Sequence, residues 1–276
     1  MEDDTPPEGA EIAGWWEELR LALGFLTRLP LALPAPPPPG ALAQAGWAFP
    51  LVGVVVGLLG GIAYSLAAAL QLPALAAALV AIGVTVLLTG ALHEDGLADT
   101  ADGLGGGGSP GQKLAIMRDH HIGSYGVLAL LFSVGLRAAA LAAIGDGGRV
   151  AAVLMAAHAL ARGGLPVALY VLDPAREDGL GAAAGRPEAA TAVIAAGIGV
   201  VVALLGLGIV AGVGGVIAAG LTMALVAWGA RRQIGGYTGD VLGAIEQTGE
   251  IVILLAGAAW RADAMVVGAA RARHRQ

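Results

Sequence analysis

Residues 190–230 contain no Asp, Glu, Lys or Arg, and that single run excludes most folds. About 20 apolar residues are enough to cross the hydrocarbon core of a bilayer as a helix. A run of this length therefore reads as two crossing helices with a tight turn near "GVGG". The same rule places further spans near 47–70, 72–92, 122–143, 149–171 and 250–269, with the long run divided into 190–210 and 212–230. Period-2 alternation is absent, which argues against a β-barrel. Only 13% of the residues are charged, against about 25% in soluble domains. The 45 glycines suit closely packed membrane helices. The expected fold is an all-α, polytopic integral membrane bundle of six or seven transmembrane helices.

The chain divides into an acidic N-terminal extension (1–10), an amphipathic helix with a proline-rich linker (11–46), one transmembrane catalytic domain (47–270) and a basic tail (271–276). The extension has no basic n-region, so no signal peptide is expected. From Glu11 to Leu29, Trp15, Leu19, Leu23 and Leu26 share a face, as in a helix lying in the membrane interface or one packed on a protein core. Pro30 to Gly40 is a stiff, extended linker. Arg20, Arg28, Lys113, Arg118, Arg176, Arg186, Arg231 and Arg232 fall on one side of these spans, and Arg149 alone among the loops falls on the other. That asymmetry puts the N-terminus and the even-numbered loops in the cytoplasm. The tail arginines fit only if the last span stops part-way. The absence of cysteine excludes disulfides and thiolate metal sites, and a net charge of −6 argues against nucleic acid.

Against this background "HEDGLADTADG" is conspicuous. Asp95, Asp99 and Asp102 stand at i, i+4 and i+7, so a helix carries them on one face. Like charges repel more strongly near a low-dielectric medium, and a divalent cation relieves that repulsion. Hard oxygen ligands point to Mg²⁺ or Mn²⁺. The following "GLGGGGSPG" is either a flexible linker or backbone that approaches a phosphate. "KLAIMRDHHIGSYG" adds Lys113, Arg118, His120 and His121 beside the acids. The adjacent histidines lack zinc-ligand spacing.

A second polar island, "RRQIGGYTGDVLGAIEQTGEI", is expected on the same side. Asp240 can complete the metal cage, and Thr238 can hold a phosphate oxygen. Arg137 and Arg162 lie inside spans three and four, where charged residues face the bundle interior. Acids for a metal and arginines for phosphate together suggest phosphoryl transfer.

"HEDGLADTADGLGGG", "MRDHHIGSYG" and "GGYTGDVLGAIEQTGE" resemble the cobalamin-5′-phosphate synthase family, the adenosylcobinamide-GDP ribazoletransferases. "FLTRLPL", "AFPLVG" and the "ARGG" around Arg162 are also similar to it, and the likeness covers about residues 20–268. The resemblance implies a Mg²⁺-dependent enzyme of the inner, cytoplasmic membrane, multi-pass, with its site facing the cytoplasm. Such an enzyme joins α-ribazole, or its 5′-phosphate, to adenosylcobinamide-GDP and releases GMP. Asp95, Asp99, Asp102 and Asp240 would hold the metal. Asp102 or His120 would take the proton from an attacking ribazole 5′-oxygen, with Arg162 also catalytic. Arg28, Arg118, Arg231 and Thr238 would contact the substrate. The partners expected are these two substrates, the lipid bilayer and, in a homo-oligomer, a second copy of the chain. The family's arginine before Ile-Gly is replaced here by His121. Two rivals are a CDP-alcohol phosphotransferase, disfavoured because Asp99 stands where that motif has Arg, and a cation-coupled transporter, which would carry its acids at the bilayer midplane.

Overall fold

A computed structural model describes residues 14–31, 38 and 40–273, without the side chains of 180, 182 and 261–273. The acidic extension, most of the proline-rich linker and the last tail residues lie outside the described residues. In chain order the helices are α1 (Trp15–Leu26), the short α2 (Ala41–Gln44), α3 (Phe49–Ala69), α4 (Ala74–Thr89), α5 (Leu92–Gly106) and α6 (Pro110–Ile116). They continue with α7 (Ser124–Ile144), α8 (Gly147–Val171), the short α9 (Leu180–Ala184), α10 (Ala189–Leu207), α11 (Ile209–Ile234) and α12 (Gly239–Arg273). No strand is present among the described residues.

Six helical segments are long and apolar enough to cross a membrane: Ala41–Ala69, Ser124–Ile144, Gly147–Val171, Ala189–Leu207, Ile209–Ile234 and Gly239–Trp260. The all-α polytopic bundle is therefore borne out. The expected span at 72–92 takes another form. α4 breaks at Gly90 and Ala91, and α5 leaves at 91° to it. Both linking residues are left-handed, with φ of 67° and 58°. α5 is too polar to cross as a helix of its own and runs across the end of the bundle. The final span also differs from expectation. It begins at Gly239, not near 250, so Glu246, Gln247 and Glu250 lie inside a helix and are buried. Sequence hydropathy missed this because α12 hides its polar residues on one inward face.

α8 is the central helix, and its two main partners, α3 and α10, meet it through glycine. A Cβ on Gly53, Gly57 or Gly61 would stand within 2.3–2.5 Å of α8 atoms at His158, Met155 and Ala151 respectively. These glycines recur every four residues, so they form one groove-free stripe that lets two backbones touch. α1 packs on the start of α3 through Leu21, Ala22 and Leu26, while Trp15 and Trp16 remain exposed. Trp47 donates its indole N–H to Glu18. The glycine run after the acids is a turn between helices. Ser109 caps α6 with a reciprocal capping box to Gln112, and Gly105 lies flat against the Tyr125 ring.

Gly57→Leu should separate α3 from α8. Size-exclusion profiles in detergent should show loss of the monodisperse species, whereas Gly83→Leu, with open space around its Cα, should leave the profile intact.

Candidate active site

α5 reaches the bundle because glycine faces glycine. A Cβ on Gly96 would lie 2.8 Å from the Asp240 carbonyl and 3.2 Å from Gly243 Cα; one on Gly243 would lie 3.0 Å from the His93 carbonyl. The two polar islands thus meet backbone to backbone. The result is a cavity of about 230 Å³ with Asp95, His93, Arg176 and Asp240 at its polar end. A second cleft on the other flank of α5 is lined by Asp95, Asp99, Asp119 and His120, with Glu94 behind.

Arg176 went unrecognised in the sequence, where it counts only as a topology charge. Its loop is pinned to the α11–α12 turn. Tyr237 N–H donates to the Asp173 carbonyl at 2.9 Å and Ala175 N–H to the Tyr237 carbonyl at 2.8 Å. Gly236 has to be glycine here, since a Cβ would fall 1.9 Å from the Asp173 carbonyl oxygen. The guanidinium then rests 3.5 Å from Asp240 Oδ2, an oxygen that also accepts from the Thr238 hydroxyl at 3.0 Å. Thr238 itself is buried and accepts from Val241 N–H at the start of α12.

The acids crowd one another. Burial first, then the neighbouring carboxylates of Asp95, Asp240 and Asp102, push Asp99 up to about 7. Asp102 sits differently from its two helical neighbours. Its oxygens accept from Gly123 N–H at 2.7 Å and Gly126 N–H at 2.9 Å, so it ties α5 to the first turn of α7 and lines neither cavity. Among the described residues the aspartates do not form a close cluster; the close acid–histidine group is His158, Glu246 and Glu250, whose ligand atoms lie within 4.8 Å of one another. That tighter group is an ion-pair knot. Arg137 Nη1 donates to Glu94 at 3.0 Å and to Glu250 at 3.1 Å. Arg162 pairs with Glu246, and its Nη1 lies 2.9 Å from His158 Nδ1. Gln247 and Ser133 extend the network between α7 and α12. Arg162 is 1% exposed and stands behind His93 at 3.4 Å, on the inner side of the cavity floor. The other expected contacts are spread out. Arg28 packs over Gly90, Arg118 is exposed and paired with Asp178, and Arg231 lines an apolar groove between α8, α10, α11 and α12.

The model of the family described as cobalamin-5-phosphate synthase matches residues 18–258. The chain belongs to the cobalamin-5-phosphate synthase family. A Bradyrhizobium diazoefficiens relative is 51% identical over 244 residues, covering 88% of this chain and 94% of its own. Relatives from Mesorhizobium japonicum and Azorhizobium caulinodans are 45% and 47% identical, each covered over 92% of its length, with 87% and 85% of this chain aligned. All three are named adenosylcobinamide-GDP ribazoletransferase. No solved structure matches the chain. Membership bears out the resemblance over the two rival classes. The acids buried inside the spans, which a transporter would use for its ion, are here paired with arginines.

Breaking a buried ion pair leaves a charge uncompensated and costs about 3–5 kcal/mol. Arg137→Gln should therefore lower the unfolding midpoint and the yield of folded protein sharply. Arg176→Gln, on the cavity floor beside an Asp240 that keeps its Thr238 hydroxyl bond, should cost clearly less stability than Arg137→Gln. Thermal unfolding of the two purified variants checks both.

Proposed function

We propose that this chain is an adenosylcobinamide-GDP ribazoletransferase of the last stage of cobalamin assembly. The observation that carries the reading is the Gly96–Asp240 contact, which brings carboxylates from both islands and Arg176 to one cavity floor. A ribose hydroxyl of α-ribazole attacks the cobinamide-side phosphorus of the pyrophosphate. A new P–O bond forms, the P–O bond to GMP breaks, and the hydroxyl proton passes to a base. Where the acceptor is α-ribazole 5′-phosphate, as the family's description suggests, its 5′ oxygen is already esterified, so another ribose hydroxyl attacks in place of the 5′ one anticipated from the sequence and the 5′-phosphate is carried unchanged into the product. His120 is across α5 in the cleft beside Asp99, so it serves as the base only for a hydroxyl that reaches past Asp95, the acid that lines both spaces. Asp102 has both oxygens committed to backbone amides. Arg176 lies where it can meet phosphate oxygens. Arg162 acts from behind, holding His93 and Glu246 in place.

The donor set fits a hard divalent cation. The candidate ligands are carboxylate oxygens, and burial together with their mutual repulsion raises Asp99. Mg²⁺ keeps several waters and takes only one or two carboxylates besides phosphate, which suits acids set further apart than a closed cage. Asp95, Asp99 and Asp240 would hold it, and when bound it would neutralise the pyrophosphate charge. The basic-loop asymmetry supports a site facing the cytoplasm.

Asp95→Asn and Asp240→Asn should each lower turnover by about a hundredfold or more, and the double variant should be little worse than either single, because ligands of one site act together. EDTA should abolish GMP release and Mg²⁺ restore it. Full activity in EDTA would remove the metal from the reading. Proton and cation compete for Asp99. Below pH 7 the carboxyl is protonated, so Mn²⁺ affinity measured by electron paramagnetic resonance should fall about tenfold from pH 8 to pH 6. Asp99→Asn should bind Mn²⁺ more weakly and lose most of that pH dependence. Single cysteines at Ser109 and at Asp146, introduced into this cysteine-free chain, should label from opposite faces of spheroplasts, Ser109 only after the membrane is opened.

A further inference from the structure

The acids and Arg176 account for one end of the 230 Å³ cavity; its other end is apolar. We propose that this apolar end is the subsite for the aromatic base of α-ribazole, with the ribose directed at Asp95 and Asp240. The inference rests on the ribazoletransferase reading above and adds which substrate part the cavity takes.

The apolar walls are Phe25, Leu42, Phe49, Leu165, Leu169 and Leu242. They come from five helices: α1, α2, α3, α8 and α12. The Phe25 and Phe49 rings stack at 6.4 Å between centroids, inclined by 22°, and present an aromatic wall of the kind that planar rings pack on. A cavity of about 150 Å³ lined by aliphatic side chains takes up benzene, so one of about 230 Å³ has room for two fused rings. None of the six wall side chains can donate or accept a hydrogen bond. Guanine, the base of the second substrate, carries donors and acceptors along its edges. Buried there it would lose its hydrogen bonds to water with nothing in return. A benzimidazole-type base has only one free ring nitrogen and loses little. The corrinoid is far larger than the cavity. That leaves the ribazole base as the one substrate part that matches the site in size and polarity. The larger groove of about 450 Å³ between α8, α10, α11 and α12 is apolar too, but Arg231 is its only charged residue and no acid lines it. A base held there would leave its ribose away from the carboxylates.

The arrangement also explains why α1 packs into the bundle. Phe25 and Leu26 close the cavity on its α1 side, so the amphipathic helix is one wall of the subsite. A base bound between α1 and α8 would sit with its sugar edge toward α5 and α12, where the acids are.

The test uses the full chain in detergent, with α-ribazole as the probe and no corrinoid. Calorimetry should give a Kd for wild type that weakens about tenfold or more in Leu169→Phe, which fills the cavity, and about tenfold in Phe25→Ala, which removes a wall; apolar pocket changes of this size are worth roughly 10–200-fold. In turnover, both variants should raise KM for α-ribazole and leave KM for adenosylcobinamide-GDP unchanged. Phe25 is at the half-buried rim, so Phe25→Ala keeps the test available if Leu169→Phe does not fold. On wild-type protein, an α-riboside of adenine should bind more weakly than α-ribazole. Unchanged α-ribazole affinity in both variants, or a rise in KM for adenosylcobinamide-GDP instead, overturns the subsite while GMP release still upholds the enzyme reading. Wall-dependent α-ribazole binding with no GMP release does the reverse.

Discussion

Arg137 holds the structure together at its least favourable point. α5 carries four acids in a chain otherwise built for lipid, and left alone it would stay in water. Glu94 at its start is drawn inward by the Arg137 guanidinium, which also takes Glu250 from α12. One cation thereby joins α5, α7 and α12. The turn that sends α5 there is strained, since Ala91 adopts φ 58°. A non-glycine residue in that region costs about 1–3 kcal/mol. The strain persists because ion pairs of roughly that worth or more would be lost if α5 swung out.

Glycine turns this electrostatic pull into geometry. Charges attract over several ångströms without fixing register, but Gly96 against Gly243 allows only one depth of approach. That register sets Asp95 over Asp240 and leaves Asp99 in the neighbouring cleft. Gly236 performs the same service for Arg176 by letting the Asp173 loop cross the α11–α12 turn. The acids of the cavity floor are therefore held by backbone contacts on rigid helices, which is what positioning for phosphoryl transfer requires. The buried knot of Arg162, His158, Glu246 and Glu250 lies one layer deeper and stiffens the floor without reaching the cavity.

Much of this was legible in the sequence, and the parts that were not have physical causes. Asp95 and Asp99 were recognisable because i, i+4 spacing means the same thing in any helix. Asp240 was recognisable because an acid among glycines has few other uses in an apolar chain. Asp102 shares the periodicity of its neighbours, yet its carboxylate caps the amides of α7, which lie far away in sequence. Arg162 reads as a phosphate ligand when it is seen alone. Its partner, Glu246, is 84 residues away, and no local pattern links them. Arg176 looked like an orienting charge because a loop with no regular periodicity gives no hint of where it folds.

The sequence by itself determined that the chain is a helical membrane bundle, that two polar islands interrupt it, and that their chemistry is that of carboxylates beside cations. These follow from hydropathy and helical spacing, which are local properties. Only the tertiary structure decided which charges neutralise each other inside the bundle and which remain free at the cavity. It also decided that α5 leaves α4 at 91° and that α12 begins early enough to bury Glu246 and Glu250. The reason is that ion pairing and glycine contact act between segments that are distant in the chain. Their outcome depends on three-dimensional register, which no single helix encodes.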